Sequence, residues 1–135
     1  MATDPVLHSV RDYYWGCIYC EGPGEYTGDY GHLTGGGPFF AVEDQVTIEV
    51  VNSRMVEPED ADVELNVHVR TAPVASADHA SVIVLRSGVL SIGDADHFDE
   101  IPLRPGRWLV QVDLDSRGPD GARWVNVHLS PEDAP

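Results

Sequence analysis

The chain has 135 residues, room for one ordinary domain, and 42% of them are hydrophobic, enough for a packed core and too many for a disordered acidic tail. Its 23 acidic residues stand against 8 basic ones, all arginine, for a formal net charge of −15. That argues against nucleic acid as a direct ligand, because the phosphates would be repelled. No apolar run approaches the roughly 18–20 residues of a membrane span. The first residues lack the basic stretch and apolar core of a secretory signal. The expectation is a cytoplasmic, bacterial protein with reduced thiols and no membrane partner.

Helical periodicity is nearly absent, and alternation of period two runs along the chain. Residues 6–20, rich in Val, Tyr and Trp, predict one strand bent at Gly16. Residues 21–37 hold seven glycines in 17 positions, with Tyr26, Tyr30 and His32 among them. That is too glycine-rich for a regular element, and loops this long are usually functional or mobile. Residues 45–52 are β-branched and predict a strand. Residues 57–60 are a polar connection. In residues 62–70, Val63, Leu65, Val67 and Val69 share one face, with polar groups including His68 on the other.

Residues 71–78 form another polar connection. Residues 80–86 carry Val82, Ile83, Val84 and Leu85 in a continuous run, as a central strand would. Residues 88–93 follow a Ser87–Gly88 turn. Residues 98–103 predict a short edge strand, since Pro102 cannot donate to a ladder. Pro105 and Gly106 suit a type II turn. Trp108, Val110, Val112 and Leu114 then alternate with polar residues, as do Val125, Val127 and Leu129, with His128 on the solvent face. A loop rich in Gly and Pro joins these two strands into a hairpin. Residues 131–135 are expected to fray.

The pattern predicts an all-β fold: one antiparallel β-sandwich domain over residues 1–135, with about seven to nine strands and a barrel-like variant left open. Its core should draw on Val46, Ile48, Val50, Val63, Leu65, Val67, Val69, Val82, Val84, Ile92, Trp108, Val110, Val112, Val125 and Val127.

Three constellations could carry chemistry. Cys17 and Cys20 have a chelate spacing for zinc, with His32 and His8 as further ligands. On a strand, however, residues i and i+3 face opposite sides and cannot share an ion, so buried thiols are the expectation, with no metal and no cofactor. Asp94, Asp96, Asp99 and Glu100 crowd within seven residues. They could offer hard oxygen ligands to calcium, but the spacing of a helix–loop–helix calcium site is absent, and a solvated turn accounts for them. The six histidines sit in no Gly-x-Ser-x-Gly or His-Glu-x-x-His context, so catalysis is not expected. What remains is the acidic surface, whose field steers basic partners.

Residues 82–114 contain Ser87-Gly88-Val89-Leu90-Ser91-Ile92, an acidic spacer, then Ile101-Pro-Leu103-Arg-Pro105-Gly106-Arg-Trp108-Leu-Val110-Gln-Val112. This stretch resembles small bacterial β-sandwich proteins and is similar to the competence protein J group of nuclease inhibitors. The resemblance implies a β-sandwich with a binding role and transfers no functional residue.

The expectation for function is a non-enzymatic, acidic protein-binding module, of inhibitor or immunity type, for a basic protein. Tyr26 and Tyr30 would be its anchors, and Asp94, Asp96, Asp99 and Glu100 its charges. The alternatives are a zinc protein using Cys17, Cys20 and His32, and a structural subunit that assembles through sheet edges.

Overall fold

A computed structural model of the chain describes residues 4–22, 38–42, 45–115 and 121–132. Among these residues ten strands form: β1 (Leu7–Arg11), β2 (Cys17–Glu21), β3 (Phe39–Val42), β4 (Gln45–Glu49), β5 (Val63–Val69), β6 (His79–Leu85), β7 (Val89–Gly93), β8 (Phe98–Pro102), β9 (Gly106–Leu114) and β10 (Trp124–Pro131). They build two five-stranded sheets, ordered β1-β5-β10-β9-β6 and β3-β4-β2-β7-β8. The fold is the expected β-sandwich, and it does not close into a barrel. Every named pair is antiparallel except β5 with β10, which is parallel. No helix among the described residues is long and apolar enough to cross a membrane.

Side chains from both inner faces share one core. Ile18, Cys20, Val46, Ile48, Leu90 and Ile92 from one sheet meet Val63, Leu65, Val67, Val110, Val112, Val125 and Val127 from the other. Each such aliphatic side chain contributes about 1.5–3 kcal/mol when fully buried.

Three departures from expectation have clear causes. Residues 6–20 are two strands, not one bent strand. Gly16 has φ +71°, and a Cβ there would lie 2.9 Å from Asn52 Cβ; the chain turns at this point and crosses from one sheet to the other. In β6 the core takes Ile83 and Leu85 rather than Val82 and Val84. A continuous apolar run has no phase of its own. Register supplies one: Ile83 lies opposite Trp108 and Leu85 opposite Gly106 on β9, and opposed residues share a face. At the C-terminal end, β10 runs through Pro131, and the Glu132 N–H donates to the Arg107 carbonyl at 2.9 Å. The first two residues of the tail expected to fray are therefore tied down.

Strand directions sort the connections. The links β1–β2, β4–β5, β7–β8 and β9–β10 gather at one end of the sandwich, the loop end. Ladder contacts there include Arg11 with Val63, Val125 with Leu114, and Cys17 with Glu49. Backbone bonds tie the links together. The Val50 N–H reaches the Gly16 carbonyl, and the Val51 N–H reaches that of Ala122, both at 2.9 Å; the Ser53 N–H reaches that of Tyr13 at 3.1 Å.

Candidate protein-interaction site

The loop end carries an ordered aromatic cluster. Tyr13 is buried, and the left-handed turn at Gly16 leaves the two intervening rings, Tyr14 and Trp15, pointing outward. The rings meet edge to face, with centroids 4.8 Å apart at 84°. The Arg54 guanidinium lies 4.9 Å from the Tyr14 centroid and 5.2 Å from that of Trp15. Its Nε–H donates to the Tyr14 carbonyl at 3.2 Å and to Asn52 Oδ1 at 3.4 Å. Asn52 also caps the short 3-10 turn at Ser53–Met55 by accepting from the Arg54 backbone N–H. Aromatic and cation–π contacts of this kind each contribute roughly 0.5–1 kcal/mol at exposed sites, which favours this arrangement of the rings. Trp15 is 47% exposed and Met55, beside Arg54, is 77% exposed.

Below this cluster lies a polar clamp between the sheets. The Asp94 side chain has no exposed surface, and its Oδ1 takes three hydrogen bonds: from Arg11 Nη2 at 3.1 Å, from the Asp96 N–H at 3.2 Å and from the His97 N–H at 3.0 Å. Arg11 Nη2 also donates to the His97 carbonyl at 2.8 Å, and the guanidinium carbon sits 3.8 Å from the centre of the Tyr13 ring. Burial raises the Tyr13 pKa, and the nearby Arg11 charge partly offsets the rise. The clamp joins β1 of one sheet to the β7–β8 turn of the other.

Acids ring the loop end. Asp12, Glu57, Glu59, Asp60, Asp62 and Asp96 are all exposed and all lie on its connections. Of the acids expected to meet a partner, Asp96 and Glu100 are exposed. Asp99 is half-buried, with its Oδ1 3.6 Å from His97 Nε2. Asp94 is the internal clamp just described. Tyr26 and Tyr30 lie outside the described residues.

The other sequence candidates are separated by the fold. Cys20 faces the core and Cys17 the outer side of β2, where its Sγ lies 3.6 Å from the Trp15 carbonyl and donates to it. Both are free. Burial pushes Cys20 up to about 12 and also raises Cys17, with the Glu49 charge adding to the latter. Neither is a ready thiolate at neutral pH. His8 lies on the opposite sheet, 3.1 Å from Glu64 Oε2, and His32 is outside the described residues. Among those residues, no group of three or more His, Cys, Asp or Glu is placed to hold a metal ion.

His128 lies on the outer face of its sheet, as alternation predicts, yet it is buried. The β5–β6 connection is strapped to this face. The Val74 N–H donates to Gln111 Oε1 at 3.0 Å, and Gln111 Nε2 donates back to the Val74 carbonyl at 3.2 Å. Arg70 Nε–H donates to His128 Nδ1 at 3.0 Å, Asp113 Oδ2 lies 3.6 Å from Nε2, and the His68 ring stacks at 5.2 Å. Desolvation lowers the His128 pKa, Arg70 and His68 lower it further, and Asp113 opposes them. A neutral ring that accepts at Nδ1 fits a structural role.

Tyr14, Trp15 and Arg54 were not anticipated as site residues. Their signal in the sequence is a run of three adjacent large rings, Tyr13, Tyr14 and Trp15, directly before a glycine, a poor fit to an alternating strand.

No protein-family model matches the chain, and no curated protein matches it significantly. Solved structures do. A protein described as crocagin biosynthetic gene J superposes with a TM-score of 0.52 at 17% identity, covering 95% of this chain and 100% of its own. ComJ from Bacillus subtilis, an inhibitor of the DNA-degrading activity of NucA, superposes with a TM-score of 0.58 at 6% identity, covering 96% of this chain and 98% of its own. The likeness read from residues 82–114 therefore extends over nearly the whole fold. At these identities it is a likeness of fold.

Proposed function

We propose that the chain is a non-enzymatic protein-binding module of inhibitor type, and that its loop end docks on a basic protein. The observation that carries this reading is the Tyr14–Trp15–Arg54 cluster, which shares one end of the sandwich with exposed Met55 and six exposed carboxylates. Rigid aromatics cost little entropy on binding and are frequent anchors of interfaces. Surrounding charge of one sign speeds encounter with a partner of the other. The fold neighbour ComJ supports the inhibitor reading. An enzyme that degrades DNA must hold phosphates with basic groups, and a surface with an excess of 15 negative charges is complementary to such a site. Tyr26 and Tyr30 of the glycine-rich segment are proposed as further contacts, and the cytoplasm as the compartment.

The test is association kinetics with a basic protein encoded beside this one, at low and high salt. Screening should slow association by about tenfold or more, because steering acts on encounter. The triple substitution Asp96→Asn, Asp99→Asn, Glu100→Gln should slow it at low salt. An on-rate indifferent to both changes would mean that the acids serve solubility alone.

A further inference from the structure

Strand β8 ends its sheet, and its backbone pairing shows which groups face outward. The Asp94 N–H bonds to the His97 carbonyl at 2.9 Å, and the Leu103 N–H bonds to the Gly88 carbonyl at 2.8 Å. These two contacts bracket the β7–β8 ladder, whose register runs from Val89 opposite Pro102 to Gly93 opposite Phe98. In an antiparallel pair, hydrogen-bonded and non-hydrogen-bonded positions alternate. Asp99 and Ile101 therefore spend their N–H and C=O groups on β7. Phe98 and Glu100 direct theirs away from the sheet, together with the Pro102 carbonyl. Phe98 is 53% exposed, and Glu100 is also exposed.

The chemistry of this edge selects its occupant. The four edge strands read LHSVR in β1, FFAV in β3, HASVIVL in β6 and FDEIP in β8. Only β8 carries acids, and Asp96 immediately precedes it. A second copy pairing edge to edge would set carboxylates against carboxylates, which is destabilising. A basic strand would set Arg or Lys against Glu100 on the outer face while its backbone meets the open N–H and C=O groups and its alternate apolar residues turn to the other face. Exposed Phe98 offers an apolar contact at the loop-end start of the strand.

We infer that the β8 edge is a docking edge for an extended, basic segment of the partner, which adds to the sheet as a sixth strand. The inference rests on the reading of the partner as basic, and it adds a second contact beside the Tyr14–Trp15 cluster. Pro102 lacks an N–H and limits the added strand to the stretch facing Phe98 and Glu100.

A peptide alternating Arg and Val, and the same peptide N-methylated at alternate residues, serve as probes. Methylation removes backbone donors and keeps the charge. Binding and amide hydrogen exchange are measured at low salt on the whole protein. The unmethylated peptide should bind about tenfold tighter than the methylated one and should slow exchange at Phe98 and Glu100. Glu100→Pro removes an outward N–H and one charge, is tolerated at a strand edge and spares the β7 bonds of Asp99 and Ile101. It should weaken binding more than Glu100→Gln, which deletes the charge alone, with circular dichroism showing both variants folded. Equal affinity for both peptides with no protection of these two amides would overturn the docking edge and leave the basic-partner reading standing. No binding of either peptide would overturn the edge, while association with the basic neighbour protein separately decides the broader reading.

Discussion

Asp94 shows how much a residue's role depends on where the backbone places it. In the sequence it is one acid of a polar turn, with nothing to set it apart from Asp96. In the fold it is buried beneath the turn, where Arg11 of the other sheet and two backbone N–H groups share its Oδ1. Asp94→Ala should cost about 3 kcal/mol, because it strands Arg11 and uncaps the turn. Asp96→Ala should change stability by no more than about 0.5 kcal/mol. Urea denaturation of the two variants checks this. His128 makes a second prediction. Its native pKa is lowered, so as pH falls through the unfolded-state value of about 6.5 the unfolded chain takes up the proton first. The stability that depends on neutral His128 is present above that pH and is lost below it, as acid also breaks the Arg70–Nδ1 bond. His128→Gln should lose less stability than the parent between neutral pH and about pH 5. Parallel pH profiles would contradict the assignment.

Among the elements, the strands were readable where apolar and polar residues alternate and ambiguous where they do not. β5, β9 and β10 follow their patterns. β6 does not, because Val82 to Leu85 is apolar throughout and only pairing with β9 selects the buried pair. The parallel pairing of β5 with β10 left no local trace, since it joins segments some sixty residues apart that run in the same direction. Pro102 did mark β8 as an edge. The turn that launches β8 depends on Gly93, at φ +152°, where a Cβ would lie 2.4 Å from the His97 carbonyl oxygen and 2.5 Å from Phe98 Cα. Both are backbone atoms that cannot swing aside. Gly93→Ala should therefore destabilise the protein by at least about 3 kcal/mol, and amide exchange should rise first in β7 and β8.

At the scale of the whole molecule, the loop end is a product of topology. Tyr14, Arg54 and Asp96 are far apart in sequence, and three connections bring their segments to one end of the sandwich. Net charge was plain from composition; that six exposed acids share one end of the sandwich with Tyr14 and Trp15 was not, because that needs strand order. Trp15→Ala should leave the fold intact and speed dissociation from a basic partner by roughly thirtyfold, the equivalent of a 2 kcal/mol anchor. The most direct test of the docking face is a hydrogen-exchange footprint of the protein with and without that partner. Protection should concentrate in residues 12–16, 52–60 and 94–100. Protection confined to residues 86–88 and 103–105 at the opposite end, with the loop-end amides unchanged, would contradict it.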